Sequence, residues 1–128
     1  KAFPYASDSK KRVREIILLS LKSYGNALEF ADKILKKDKK IVLKAVKQDG
    51  GAIRFANESF KKDKEVVLTA VKKEGICLYH ADESLKKDKE VVTAALKNNI
   101  AALEYVHKSL KNDKDILAII NKKKSTYY

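Results

Sequence analysis

The sequence predicts an all-α solenoid of about four to five 25-residue helix-turn-helix repeats, formed by stacked short helices. Aspartate recurs every 25 residues, at Asp38, Asp63, Asp88 and Asp113, and the surrounding residues align on this period without a gap. Both halves of each repeat carry apolar residues at helical rather than alternating spacing. One Pro and four Gly in 128 residues exclude a collagen-like chain, a Pro-rich linker and a turn-dense β-sandwich.

Each repeat is expected to contain two helices of about ten residues. In the repeat that begins at Asp38, the residues Ile41, Val42 and Ala45 share one helix face. A second apolar stripe of the same kind begins at Ala52. Helices of this length are marginal alone, so they must stack on the helices of neighbouring repeats.

Asp and Gly are expected to mark the helix ends. The Asp that opens each repeat suits an N-cap, where its carboxylate accepts hydrogen bonds from exposed backbone N–H groups. Gly25, Gly50 and Gly75 fall between the two halves and are typical of the left-handed residue that terminates a helix. These Asp and Gly positions, together with the apolar spacing, predict helices at 9–24, 26–36, 39–49, 51–61, 64–74, 76–86, 89–98, 101–111 and 114–122.

The chain is expected to be one repeat domain that starts and stops in mid-repeat. The period places a half repeat at 1–12, complete repeats at 13–37, 38–62, 63–87 and 88–112, and a half repeat at 113–128. Either the chain is cut from a longer array or its two end pieces are degenerate caps. The fourth complete repeat has Ile100 in place of Gly. We expect its turn to shift by one residue, because Asn99 tolerates a left-handed conformation.

The repeat is clearest in DKEVVLTAVKKEGICLYHADESLKK, which runs from Asp63 to Lys87. This motif resembles the bacterial repeat family called domain of unknown function 4116, and the resemblance covers residues 13–122. It implies an array within a larger protein, often from intracellular bacteria whose secreted effectors act inside host cells. The family has no assigned activity, so the resemblance assigns no site residue.

Composition limits the compartment. One Cys excludes an internal disulfide, so we expect a reducing compartment, either the cytoplasm or, for a secreted effector, the host cytosol. No apolar run approaches the roughly 20 residues of a membrane span, and no signal peptide is visible. Lys and Arg outnumber Asp and Glu by 29 to 17, which gives a formal net charge of +12.

Much of this positive charge falls at the corners that join one repeat to the next. Stacking would align these corners as a basic edge along one side of the solenoid. Such an edge indicates either a track for nucleic acid or another anionic surface, or a solvated edge that keeps the array soluble. The residues of the candidate track are Lys11, Arg12, Arg14, Lys36, Lys37, Lys39, Lys61, Lys62, Lys64, Lys86, Lys87 and Lys89.

Two observations favour the solvated edge. Of the 29 basic residues 26 are Lys, although Arg is better suited to paired contacts with phosphate. Several lysines also have an acidic residue four positions earlier, which predicts surface pairs on a helix: Asp32–Lys36, Glu58–Lys62, Glu83–Lys87 and Glu104–Lys108. Polyanion binding is therefore the second functional hypothesis.

Three side chains are candidates for chemistry. His80 stands in a column that is otherwise aromatic, so packing is its expected role. Cys77 falls in a column of small residues and is expected to be buried. His107 replaces an Asp or Asn and is expected to face water. A metal would need further ligands, and a Cys–His nucleophile an orienting third group. We therefore expect no catalytic, cofactor-binding or metal-binding residue.

The leading functional hypothesis is a non-catalytic module that binds another protein. Stacked repeats present an extended concave face rather than a deep enzyme pocket. One position per repeat is expected to be exposed and varies in charge and shape, while its neighbours stay apolar. The candidate partner-binding residues at this position are Glu29, Arg54, Tyr79 and Glu104.

Overall fold

The computed structural model describes residues 4–126, with side chains from Ser9 to Ser125. Within this range the chain forms helices and no strand, and the prediction of an all-α solenoid is confirmed. The half repeats predicted at 1–12 and 113–128 extend into residues 1–3 and 127–128, which lie outside the described range. None of the described helices has the length and apolar composition needed to cross a membrane.

A complete repeat contributes three helical segments rather than two. A ten-residue α-helix is followed by a six-residue 3₁₀ helix and then by a shorter helical segment. The segments, with η denoting a 3₁₀ helix, are α1 (Pro4–Ser20), η1 (Gly25–Phe30), α2 (Lys33–Lys36), α3 (Lys39–Gln48), η2 (Gly50–Phe55), η3 (Glu58–Lys62), α4 (Lys64–Lys73), η4 (Gly75–His80), α5 (Glu83–Lys86), α6 (Lys89–Asn98), η5 (Ile100–Tyr105), η6 (Lys108–Leu110) and α7 (Lys114–Thr126).

The second helix predicted for each repeat is not continuous, and this part of the prediction was wrong. The predicted helix 51–61 is interrupted where Ala56 and Asn57 adopt extended backbone angles. The Asn57 side chain then accepts a hydrogen bond from the Ser59 N–H at 3.0 Å and starts the next segment as an N-cap. The same interruption separates η1 from α2, η4 from α5 and η5 from η6.

A hydrogen bond between repeats holds three of the four interruptions in place. The Asn57 backbone N–H donates to the Lys36 carbonyl oxygen of the preceding repeat at 2.9 Å. Equivalent bonds run from Asp82 to the Lys61 carbonyl at 2.9 Å and from His107 to the Lys86 carbonyl at 3.0 Å. Because this N–H is committed to a neighbouring repeat, it cannot continue an intrahelical ladder.

The terminal helices extend past their predicted outer bounds, although α1 ends at Ser20 rather than at residue 24. Helix α1 begins at Pro4 rather than at residue 9 and passes through the predicted repeat boundary, because Val13 stands where later repeats have a capping Asp. Helix α7 continues to Thr126 rather than ending at 122.

The predicted aspartate N-caps are confirmed in all four places. Each carboxylate accepts from two backbone N–H groups in the first turn of the helix it precedes, at 2.9–3.3 Å. The capping residues are Asp38, Asp63, Asp88 and Asp113.

The glycines between the first and second segments have a different role from the predicted one. No glycine in residues 4–126 has a positive φ, so none is a left-handed helix terminator. Gly50 instead packs against the next repeat, where a Cβ would lie 2.5 Å from the Ala70 carbonyl oxygen. Gly25 and Gly75 lie against the Ala45 and Ala95 carbonyls in the same way. Glycine is needed for close backbone approach between repeats, not for its conformational freedom.

Ile100 does not shift the turn of the fourth repeat, contrary to the prediction. Helix α6 ends at Asn98 and η5 begins at Ile100, with the same spacing as in the other repeats. Asn99 is extended at φ −153°, so no left-handed residue is required. The next helix, α7, packs against α6 but makes only sparse contact with η5. A Cβ at this position prevents the close backbone approach that glycine allows in the other repeats.

The core runs through the array as columns of equivalent residues. Val42, Val67 and Val92 are fully buried because the following repeat covers them, whereas the equivalent Leu117 near the C-terminal end is 39% exposed. The neighbouring position faces the preceding repeat. There Val66, Val91 and Ile116 are fully buried, Ile41 is half-buried, and Ile16 at the N-terminal end is 62% exposed. Each repeat thus buries one apolar face against each neighbour, and the described array has two open ends.

The close glycine contact predicts unequal effects for two adjacent glycines. Gly50→Ala should lower the free energy of unfolding by about 1–3 kcal/mol, because its new methyl group meets backbone that cannot move freely. Gly51→Ala is the matched control. Its Cβ would meet only side-chain oxygens, at 3.3 and 3.6 Å, and other repeats have Asn26, Ile76 or Ala101 at this position.

Urea unfolding followed by circular dichroism measures both variants. We expect Gly51→Ala to be neutral or slightly stabilising, by up to about 1 kcal/mol, since alanine restricts the unfolded chain. Equal destabilisation by the two substitutions would contradict the role assigned to Gly50.

Candidate functional site

The four candidate partner-binding residues occupy one column on successive 3₁₀ helices. All four are exposed and lie on η1, η2, η4 and η5, one repeat apart. We refer to Glu29, Arg54, Tyr79 and Glu104 as the 3₁₀ column. The column combines two carboxylates, a guanidinium and a phenol on a backbone fixed by the glycine contacts and by the hydrogen bonds between repeats.

Aromatic contacts hold the middle of the 3₁₀ column. The ring of Tyr79 packs edge-on against Tyr105 of the next repeat, with centroids 5.2 Å apart, and against His80 at 5.1 Å. The Arg54 guanidinium lies 4.5 Å from the centroid of the Phe55 ring, within cation–π distance. Tyr79 is 59% exposed although two rings contact it, so it presents a fixed aromatic surface to solvent.

A basic environment surrounds His80. Burial lowers the pKa of His80, and the positive charges of Lys61, Arg54 and Lys86 lower it further. The imidazole is therefore kept neutral at physiological pH. The Lys86 ammonium also lies 5.9 Å from the centroid of the Tyr79 ring, so this part of the surface is aromatic with a basic border.

One class of edge lysine is used to join the repeats. The Lys64 ammonium contacts the carboxylates of Asp88 at 3.0 Å and Glu90 at 2.9 Å, both in the next repeat. Lys39 makes the same two contacts with Asp63 and Glu65, and Lys89 makes them with Asp113 and Asp115. Each capping aspartate in these pairs therefore binds its own helix N-terminus and a lysine of the preceding repeat.

These ion pairs shift the pKa values of both partners. Burial raises the pKa of Asp88, but the hydrogen bond from Lys64 and the backbone N–H of Val91 outweigh it, so the pKa of Asp88 lies below its usual value. The pKa values of Asp63 and Asp113 are lowered in the same way. The pKa of Lys64 is raised by its hydrogen bonds to Glu90 and Asp88.

Other edge residues pair within or near their own repeat. Lys61 contacts Glu58 at 2.8 Å and Lys86 contacts Glu83 at 3.4 Å, and Arg14 contacts Asp32 at 3.3 Å. The predicted pairs four residues apart are therefore wrong. In the 3₁₀ helix η3, residues three apart are nearly eclipsed, which favours Lys61 over Lys62. In α5, Glu83 and Lys86 are neighbours on one face of the helical turn.

The remaining members of the candidate edge form no ion pair within the described residues. All of these except the half-buried Lys36 are exposed. They are Lys11, Arg12, Lys36, Lys37, Lys62 and Lys87. The basic edge therefore separates into lysines that join repeats and a smaller set whose charge faces solvent.

Cys77 and His107, which were considered for chemistry, have different structural roles. Cys77 is buried, as predicted, and burial together with the nearby Glu74 carboxylate raises its pKa to about 12. His107 is half-buried and acts as an N-cap, where its Nδ1 accepts from the Ser109 backbone N–H at 3.1 Å. Within residues 4–126 no three His, Cys, Asp or Glu side chains are grouped in a way that could hold a metal ion.

Sequence reasoning missed the lysine bridges between repeats. The signal was present, since Lys39, Lys64 and Lys89 each precede one acidic residue by 24 positions and another by 26. Only the stacking of one helix start on the next shows that these positions are neighbours. The contact between Tyr79 and Tyr105 was missed for the same reason.

Comparison with known proteins identifies one family. The family model described as Domain of unknown function (DUF4116) matches residues 13–61, 63–109 and 88–127. These matches together cover most of the chain and follow the repeat. No curated protein and no solved structure matches the chain.

The bridges between repeats predict a specific effect on the pKa of Asp88. Lys64→Gln should raise the pKa of Asp88 towards its unfolded value, because the substitution removes the ammonium that stabilises the carboxylate. Carboxyl resonances followed by NMR during a pH titration measure this change. Lys62→Gln is the matched control, since Lys62 forms no ion pair within the described range, and it should leave Asp88 unchanged.

The same pair sets a pH window for stability. A lowered folded pKa contributes stability that is present above the unfolded value, about 4, and is lost as pH falls through the folded value. The wild type should therefore be more stable than Lys64→Gln in urea at pH 7, and the difference should disappear in acid. A difference that persists after carboxyl protonation would contradict the ion-pair assignment.

Proposed function

This chain belongs to the family of Domain of unknown function (DUF4116), which names no activity, and we propose that it is a non-catalytic module that binds another protein. The single observation that carries the proposal is the 3₁₀ column, a row of exposed and chemically different side chains on a fixed helical scaffold. Repeats of this family occur in arrays within larger bacterial proteins. We therefore extend the proposal to a recognition unit of a larger effector-like bacterial protein.

The composition of the 3₁₀ column supports recognition of a protein. Tyr and Arg are enriched among the residues that contribute most to the free energy of protein binding. Tyr79 and Arg54 are both exposed, and ring contacts with Tyr105, His80 and Phe55 restrict their side chains. A restricted side chain loses less conformational entropy on binding than a mobile one. Glu29 and Glu104 add a negative charge at each end.

The side chains considered for chemistry support the non-catalytic part of the proposal. A thiol with a pKa of about 12 is protonated at physiological pH, so Cys77 is a weak nucleophile. His107 uses its Nδ1 atom to cap a helical segment. His80 is kept neutral in a basic environment, beside Tyr79 rather than beside a nucleophile that it could activate.

The proposal predicts which surface a partner needs. Replacing the four residues of the 3₁₀ column by Ala should weaken binding of a captured partner by at least about tenfold, because it removes the exposed Arg and Tyr anchors. The matched control replaces Lys47, Lys72 and Lys97, an exposed position repeated along the α-helices, by Ala. The intact chain serves as bait, and the dissociation constant of the purified partner is then measured by calorimetry.

Two results would distinguish the faces. Loss of binding in the column variant with binding retained in the control supports the 3₁₀ column as the interface. Binding retained in the column variant but lost in the control would reject this choice of face.

The second candidate function is binding of nucleic acid or another polyanion. The observation that favours it is the exposed position shared by Lys37, Lys62 and Lys87, which repeats along one edge without ion pairs in the described residues. Lys39, Lys64 and Lys89 are less suited to phosphate, because each already binds two carboxylates. The proposed track is therefore narrower than the one the sequence predicts.

Charge reversal of three lysines tests this function. Lys37→Glu, Lys62→Glu and Lys87→Glu together should abolish binding of a labelled single-stranded oligonucleotide at low salt. In the wild type, the logarithm of the affinity should fall with the logarithm of salt by roughly 0.7 per phosphate contact. The control reverses Lys47, Lys72 and Lys97, which changes the net charge equally. Fluorescence anisotropy measures binding by both variants. Equal loss of affinity in the two variants would show that binding depends on net charge alone and not on this edge.

A further inference from the structure

The first complete repeat carries an open groove with apolar walls, whereas the groove at the equivalent place two repeats later is lined by Ser59, Lys62, His80 and Asp82. The groove of the first complete repeat has a volume of about 930 Å³ and lies between α1 and the segment that runs from η1 into α2. Its floor is formed by the buried Ile17 and Leu35. Its walls are Val13, Phe30 and Ile34, which are 53%, 71% and 69% exposed.

Two of the three wall residues depart from the repeat towards apolar side chains. Ile34 stands where the other repeats have Ser59, Ser84 and Ser109, and Val13 stands where they have a capping aspartate. Burial in the core does not explain either residue, since both are exposed. Exposing large apolar side chains together is unfavourable in water and marks an interaction surface.

A preceding repeat would cover part of this groove, since Phe55, His80 and Tyr105, which are equivalent to Phe30, are half-buried. Ser59, Ser84 and Ser109 remain exposed although each belongs to a repeat that has a preceding neighbour. A preceding repeat would therefore cover Ile16 and part of Phe30 and leave Ile34 in solvent. The Ile34 side of the groove is open to an occupant other than a preceding repeat.

Basic residues border the apolar surface. Lys10, Lys11, Arg14 and Lys33 line the groove, with Asp32 as the acidic residue among them. Asp32 is already bound by Arg14 at 3.3 Å and by the Leu35 N–H at 2.9 Å. The border therefore attracts negative charge. A second copy is disfavoured, because each chain carries +12 and its C-terminal helix ends in further lysines.

We propose that this groove binds an amphipathic helix of a partner protein, with the apolar stripe of the helix on Phe30 and Ile34 and acidic side chains against the lysines. An open groove between helical segments suits such a helix, which anchors through residues three and four apart. The groove is separate from the 3₁₀ column, so the proposal stands or fails independently of the proposed function.

A synthetic peptide tests the proposal directly. The probe is a fluorescein-labelled helix with Leu along one face and Glu along both borders of that face. Its two comparison peptides carry Lys in place of Glu, or a central Pro that prevents the helix. We expect the intact chain to bind the acidic helix at least about tenfold more tightly than either comparison peptide, as measured by anisotropy.

Substitutions taken from other repeats locate the binding. The double variant Ile34→Ser with Phe30→His carries residues that stand at these positions elsewhere in the chain, so its fold is retained, as circular dichroism verifies. It should weaken binding of the acidic peptide by about tenfold or more, because the apolar contact is lost. Leu117→Ser, which removes an exposed apolar side chain at the other end, should leave binding unchanged.

Four outcomes would overturn the proposal. They are equal binding of the acidic and basic peptides, equal binding by the wild type and the double variant, self-association in sedimentation that depends on Ile34, and binding to anionic phospholipid vesicles that depends on Ile34 without peptide binding. The third outcome would assign the groove to a second copy and the fourth to a membrane surface.

Discussion

The close approach of each 3₁₀ helix to the next α-helix is the constraint on which the array depends. Gly25, Gly50 and Gly75 bring backbone against the carbonyl of a buried alanine one repeat later, at a distance that a Cβ would prevent. This contact places each repeat on the next, so that the valine columns are buried and the backbone N–H groups of Asn57, Asp82 and His107 can donate hydrogen bonds to the preceding repeat. Where Ile100 replaces the glycine, the next helix packs less closely.

The same stacking divides the positive charge into two classes. It brings the start of each helix beside the start of the next, so a lysine of one repeat meets a capping aspartate and a further carboxylate of the following repeat. These lysines compensate carboxylates that are partly withdrawn from water. The lysines that make no ion pair within the described residues, such as Lys37, Lys62 and Lys87, carry less charge than the net charge of the chain implies. Binding of a polyanion would depend on these lysines.

The 3₁₀ column depends on the regularity of the repeats, whereas the N-terminal groove depends on residues that depart from it. The 3₁₀ column exists because the repeats are regular, since equivalent positions project at constant spacing while their identities differ. The N-terminal groove has apolar walls because the first complete repeat departs from the pattern. Val13 removes a helix cap, which lets α1 run on from Pro4, and Ile34 replaces a serine at an exposed position. Recognition at the two surfaces would therefore use different side chains and tolerate different substitutions.

The sequence by itself determined the repeat length, the all-helical class, the aspartate caps and the burial of Cys77, because these follow from local periodicity and from hydrogen bonds within a few residues. The sequence also predicted that the four residues of the 3₁₀ column are exposed. Only the tertiary structure decided that the second helix breaks, that glycine serves close approach, and that Lys39, Lys64 and Lys89 bind the next repeat. These features depend on atoms more than 20 residues apart in the chain, and neither local propensity nor apolar spacing encodes which backbone group or charge a neighbouring repeat will offer.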